Sequence, residues 1–296
     1  MAIDNRRSLA LIKKLDRALA MRDAKLPAER VHQIRTSARR LEALLETLGD
    51  DADARQRKLR KRLKRLRRLA GAIRDVDVQM VALRKLNIKR EQERKAALMQ
   101  TLSEMRGKRE LALVEALDEK VVRKVRKGLR RWRQSISAER SRERAYGDPV
   151  AASLRGFSSL SRQMGSLTTE NLHAYRTRCK RIRYLAEIGG STAEAKRVVE
   201  PLKQIQDAIG DWHDWLTLTE SAESLFSRPP GSGLVTALRN VTDAKFVAAC
   251  RVCQDARRSL LAQHRKMLKE ARAQRASLSP RKAMATAAGA SRAQVA

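Results

Sequence analysis

Apolar positions recur every three or four residues along nearly the whole chain, which is the period of an amphipathic α-helix. Leu9, Leu11/Ile12, Leu15 and Ala18/Leu19 mark a first helix over 6–25 that stops before Pro27. Pro27 opens a second helix, which runs to Leu48 and ends at Gly49. Asp50-Asp51-Ala-Asp53 brings negative charge to the start of a third. Its stripe is Leu59, Leu63, Leu66 and Leu69/Ala70, until Gly71 breaks the pattern. Residues 78–148 read as further helices with a break near Asn87, and Leu111, Val114, Leu117/Asp118, Val121/Val122, Val125 and Leu129 form one long stripe. Tyr146-Gly-Asp-Pro149 is a turn signal and the best domain boundary. Beyond it, Thr168-Thr-Glu-Asn171 precedes a helix that reaches Gly189-Gly190, and another helix covers 192–209. A loop at 227–233 leads into a last long helical region to about residue 273. Each half holds about four helices of bundle length, so the expected fold is all-α, with four-helix bundles at 1–148 and 149–274. Residues 275–296, rich in Ala, Ser and Arg, are expected to form a disordered basic tail.

Two stretches stand out from this periodicity. His173-Ala-Tyr-Arg-Thr-Arg-Cys-Lys-Arg-Ile-Arg-Tyr184 sets His173, Arg176, Lys180 and Tyr184 on one helical face. A neighbouring apolar stripe holds Leu172, Tyr175, Cys179, Ile182 and Leu185/Ala186. The cations therefore lie on the shoulder of a buried stripe, half sheltered, where an anion can be met. The same pattern occurs earlier: His32 matches His173, Arg35 matches Arg176, Thr36 matches Thr177, Arg39 matches Lys180 and Arg40 matches Arg181. A second motif follows each copy, Ala72-Ile-Arg-Asp75-Val-Asp77 and Ala208-Ile-Gly-Asp211-Trp-His-Asp214. His32 precedes Asp75 by 43 residues and His173 precedes Asp211 by 38, so a whole substructure is repeated.

These four segments, in this order, resemble the CHAD family (conserved histidine α-helical domain), and the resemblance covers roughly residues 1–270. It implies two pseudo-symmetric helical bundles around a basic central groove or pore that binds inorganic polyphosphate, with no enzymatic activity. Glu91-Gln-Glu93-Arg-Lys95 also matches the alternating signature of the CYTH triphosphate-tunnel family. That signature needs a barrel strand, and here it lies in a helical stretch, so the match reads as coincidence.

Composition agrees with a polyanionic partner. The 296 residues include 66 Lys and Arg against 33 Asp and Glu, a formal net charge of +33. That excess points to polyphosphate, nucleic acid or an anionic surface. Aromatic residues make up only 3%, which argues against binding single strands by base stacking. Cys179, Cys250 and Cys253 suit a reducing compartment, and the Cys250/Cys253 pair reads as two ordinary thiols on a helix, not a redox or zinc motif. No run of about 18 apolar residues is present, so the expectation is a soluble, cytoplasmic protein without membrane insertion.

A polyphosphate chain repeats a negative charge at every internal phosphate, so it calls for many cations along one surface. Arginine can grip two oxygens at once, whereas lysine acts as a point charge. His32 to Arg39 spans about 10 Å, enough for several phosphates. The expected binding set is His32, Arg35, Arg39, Arg40, Arg57, Lys61, Lys64 and Arg68 in the first half. The second half supplies His173, Arg176, Lys180, Arg183, Lys196 and Lys203. Asp75, Asp77, Asp211 and Asp214 are expected to hold arginines in place or to cap helices, not to bind metal. No cofactor or catalytic residue is expected. The alternative reading is a nucleic-acid-binding protein whose basic helices contact the phosphate backbone non-specifically. A metal-dependent phosphoanhydride hydrolase is the third, and the chain lacks a glycine-rich phosphate loop for it.

Overall fold

A computed structural model describes residues 5–20, 26–47, 54–88, 90–138, 148–188, 192–226 and 232–292, and every regular element among them is an α-helix. The acidic run at 50–53, the turn at 146–147, the glycines at 189–190 and the loop over 227–231 lie outside the described residues. The helices are α1 (Asn5–Ala20), α2 (Ala28–Thr47), α3 (Ala54–Lys85), α4 (Gln92–Ala116), α5 (Glu119–Ala138), α6 (Pro149–Gln163), α7 (Leu172–Ile188), α8 (Ala193–Leu225) and α9 (Gly233–Arg292). The chain divides into two compact units. One comprises Met1–Ala145 with His213–Asp243, the other Tyr146–Trp212 with Ala244–Ala296. No helix of the described residues is long and apolar enough to cross a membrane.

In the first unit α2 packs on α1 and α3, and α5 packs on α1 and α3, so these four close into a bundle. Its core takes Leu15, Ile34, Leu41, Leu63, Leu66, Ile73 and Trp132, among others. Fully burying each leucine or isoleucine contributes about 1.5–3 kcal/mol, which is why the stripe spacing dictates the helix faces. A second core joins the far end of α3 to α4, the end of α8 and the start of α9 through Val76, Leu83, Leu98, Leu102, Leu218 and Leu238.

Several expected boundaries differ, and the helix expected over 192–209 runs on through Gly210 to Leu225 as α8. α3 runs unbroken through Gly71, because buried Ala70 and Ile73 on either side keep the helix in register. The helical cost of one glycine, about 1 kcal/mol, is smaller than that packing gain. The long stripe from Leu111 to Leu129 is two helices: α4 ends at Ala116, and Asp118 Oδ2 accepts the Lys120 amide (3.1 Å) as α5 begins. Leu111 and Val114 face outward at 64% and 42% exposure, while Leu113 and Ala116 are buried. α9 continues to Arg292, over residues whose composition suggests a disordered tail; alanine, frequent there, is the best helix former.

The second unit is assembled from α6, α7, the first part of α8 and most of α9. Asp148 caps α6 by accepting from the amides of Val150 (2.9 Å) and Ala151 (3.2 Å), with Pro149 in the first turn. Before α7, Asn171 Oδ1 accepts the Thr168 amide at 2.9 Å. Leu172, Tyr175, Cys179 and Ala186 of α7 are buried, as their spacing predicts. Trp212 is buried against Phe246, with 5.8 Å between ring centroids. Pro201 lies inside α8 and has no amide to give the Arg197 carbonyl. Gln263 Nε2 of α9 donates to that carbonyl instead (3.3 Å). Burial pushes the thiols of Cys179 and Cys253 up to about 12, so both are neutral packing groups.

Glu91 is the non-glycine residue with positive φ (65°) among the described residues. Its carboxylate accepts from the amides of Gly233 (2.9 Å) and Leu234 (2.8 Å) and from Ser232 Oγ (3.0 Å), and pairs with Arg94. It thus caps α9 from the loop before α4, and those backbone bonds hold its pKa below the ordinary 4.5. A depressed carboxylate stabilises the fold above its unfolded pKa and loses that contribution as the pH falls through the folded one. Glu91→Gln is therefore expected to lower Tm and speed hydrogen exchange at the Gly233 and Leu234 amides at neutral pH. Thermal scans should show the gap to wild type closing as the pH drops below about 4.

Candidate functional site

The first histidine motif lies on α2, where Val31, Ile34, Ala38 and Leu41 are buried against the bundle core. His32, Arg35 and Arg39 occupy the shoulder of that stripe, half-buried, and Arg40 is exposed. Thr36 Oγ1 donates to the His32 carbonyl (2.8 Å), and in the second copy Thr177 Oγ1 donates to the His173 carbonyl (3.1 Å). The two motifs therefore repeat a local bond as well as a sequence.

α2 and α3 pack in antiparallel register. Arg67 Nε donates to Glu42 Oε2 at 2.5 Å, and Arg35 Nε lies 3.7 Å from where a Cβ on Gly71 would stand. This register sets Arg74 beside His32. Burial first, and then the charge of Arg74, push the His32 imidazole below its ordinary 6.5; Arg35 and Lys14 add to this and Glu29 opposes it. Lys14 of α1, Arg35 of α2 and Arg74 of α3 thus bring positive charge from three helices to bear on His32. Arg39 Nε is a buried donor that meets no acceptor among the described residues. An anion placed here would be met by several donors at once, and guanidinium groups suit phosphate oxygens.

Sequence spacing does not single out Arg74 or Lys14 as ligands. Arg74 is visible as part of the Arg-Asp-x-Asp motif, but its place beside His32 depends on interhelical register. Arg57, Lys61, Lys64 and Arg68 lie on α3, and all four are exposed. Arg57 precedes Arg74 by 17 residues, about 25 Å along the helix. Arg57 therefore lies far along α3 from Arg74, whereas Arg68, six residues before Arg74, is about 9 Å from it.

In the second unit His173 is exposed, while Arg176, Lys180 and Arg183 are half-buried on α7. Arg176 Nε donates to the Gln206 carbonyl of α8 (3.1 Å). Lys180 and Arg183 sit over the Tyr184 ring, 5.9 and 5.3 Å from its centroid. Lys196 and Lys203 are exposed on α8.

The four aspartates take different places. Asp77 Oδ1 accepts from Arg106 Nε (2.8 Å), which also pairs with Glu110 (2.6 Å) and donates to the Leu26 carbonyl (3.0 Å). Asp211 pairs with Lys245 at 2.7 Å. Both partners lie outside the expected binding set. Asp75 is exposed, and Asp214 offers its backbone carbonyl to Thr217 Oγ1 (3.1 Å). Among the described residues no three His, Cys, Asp or Glu side chains gather as metal ligands.

Among known families, the model described as CHAD domain matches residues 6–223. The match takes in both histidine helices and both aspartate motifs, and stops short of α9. No curated protein and no solved structure matches the chain.

This arrangement makes a direct electrostatic prediction. Arg74→Gln should raise the His32 pKa toward 6.5 without restoring it, because burial remains; an NMR pH titration of the imidazole reads this. A depressed histidine costs the fold stability as the pH falls below its unfolded pKa, so the variant should also lose less stability between neutral pH and about 5. An unchanged titration would remove Arg74 from the charges that act on His32.

Proposed function

The chain belongs to the CHAD domain family, and we propose that it binds inorganic polyphosphate and catalyses no reaction on it. The observation that carries this reading is the half-buried His32 with cations of α1, α2 and α3 acting on it: burial first, and then Arg74, Arg35 and Lys14, lower its proton affinity. Cations gathered at such cost suit a ligand that brings repeated negative charge. The second histidine helix offers the same residue types in the same order, and we take the two as repeated copies of one phosphate-binding element. Polyphosphate lies along the shoulder of each histidine helix, with His32, Arg35, Arg39, Arg74, His173, Arg176 and Lys180 nearest to it. The exposed cations of α3 and α8 extend the path for longer chains. Through this binding the protein collects on polyphosphate granules in the cytoplasm.

A duplex nucleic acid presents phosphates too, but a general polyanion binder would draw on the whole +33 charge and would not depend on two particular helices. Competition separates the two. Labelled long-chain polyphosphate is titrated against duplex DNA and RNA at about 0.15 M salt, using wild type and a variant carrying Arg35→Ala, Arg39→Ala, Arg176→Ala and Lys180→Ala. Polyphosphate should win by more than about tenfold, and the variant should lose that preference. Equal competition with an indifferent variant would make the histidine helices scaffolding and the protein a general polyanion binder.

A further inference from the structure

Gly210 stands in the middle of α8, where glycine is a poor helix former. The three heavy atoms nearest to the place of its missing Cβ all belong to Arg176: Nη2 at 3.0 Å, Cζ at 3.6 Å and Nε at 3.7 Å. Arg176 Nε is bonded to the Gln206 carbonyl one turn earlier on the same helix. The guanidinium therefore lies across the α8 backbone, in space that is open because residue 210 has no side chain.

The first unit contains a related pairing. Arg35, which matches Arg176 in the repeated motif, rests by Gly71 of α3, its Nε 3.7 Å from the Cβ position. The two glycines do not occupy matching places, since Gly210 aligns with Arg74 and Gly71 with Asp207. Each unit thus seats the motif's first arginine on a glycine of the following long helix, from a different register. The fit is tighter at Gly210, where an added methyl would press on the guanidinium; at Gly71 it would make ordinary contact.

We propose that Gly210 is a positioning residue for anion binding, seating Arg176 flat on α8 so that its guanidinium is held by one edge before the ligand arrives. This rests on the reading of the histidine helices as the phosphate site. An arginine already tethered through Nε gives up less conformational freedom when it grips an oxygen, so its contact is stronger than that of a mobile side chain. Gly210 touches no phosphate itself and acts through Arg176.

The test is a double-mutant cycle in the full chain. Gly210→Leu is made in wild type and in Arg176→Ala, and long-chain polyphosphate affinity, Tm and the Arg176 Nε–H resonance are measured. Gly210→Leu alone should weaken binding about fivefold and abolish the exchange-protected Nε–H signal. In the Arg176→Ala background it should leave affinity unchanged and should not lower Tm, because leucine is the better helix former. Wild-type affinity in Gly210→Leu, or the same loss in both backgrounds, overturns the proposal. If Gly210→Leu fails to fold, Gly210→Ala carries the same cycle, with a loss of about twofold. Should wild type not bind polyphosphate, the functional reading fails, and a persisting Nε–H signal in the Gly210 variants would separately overturn the seating of Arg176.

Discussion

Repulsion between like charges is the condition that this fold has to meet. Sixty-six lysines and arginines face thirty-three acids, so helices that bury one stripe must carry cations beside cations on the rest. Two unit charges 4 Å apart repel by about 1 kcal/mol in water and about 4 kcal/mol near a protein surface. Many arginines are relieved locally by fixing the architecture. Arg67 ties α3 to Glu42 of α2, Arg106 ties α4 to Asp77 of α3, and Arg126 ties α5 to Asp16 of α1. Others close on backbone carbonyls, as Arg109 does on Ala72 (2.7 Å) and Arg257 on Ser161 (2.7 Å).

The beginning of α2 is built differently. There burial lowers the proton affinity of His32 first, the charges of Arg74, Arg35 and Lys14 lower it further, and Glu29 opposes them. On the proposed function, an anion bound here would oppose the effect of these cations, since negative charge nearby favours the imidazolium. Long-range steering by the net charge would bring a polyanion to any face of the molecule. On the proposed function, the half-sheltered shoulder of the histidine helix is where short-range geometry takes over, because guanidinium forks can discriminate by shape as well as charge.

Stripes such as Leu59, Leu63, Leu66 and Ala70, or Leu172, Tyr175 and Cys179, announce both the helices and their buried faces, because burial at this period has one solution. What escapes a reading of the sequence depends on contacts between elements. Gly71 looks like a helix stop on propensity alone, yet packing on both sides carries the helix through it. The stripe across Leu117 looks continuous, yet Asp118 starts a new helix there. Glu91 belongs to a run that imitates a strand signature, and its actual task is to cap α9, more than 140 residues downstream. Likewise, spacing along single helices yields a ligand set without Lys14 and Arg74, which reach His32 through interhelical register. The histidines and first arginines of both motifs are readable, since their repetition is a property of the chain itself.

The proposed function turns on phosphate coming to rest against His32. The direct measurement is the His32 pKa, by NMR titration of the imidazole in the free protein and with saturating long-chain polyphosphate. The expected result is a free value below 6.5 and a bound value clearly higher than the free one, because the anion opposes the cations around the imidazole. A His32 pKa that stays depressed while polyphosphate is fully bound would contradict this, and would place the ligand somewhere other than the histidine helix.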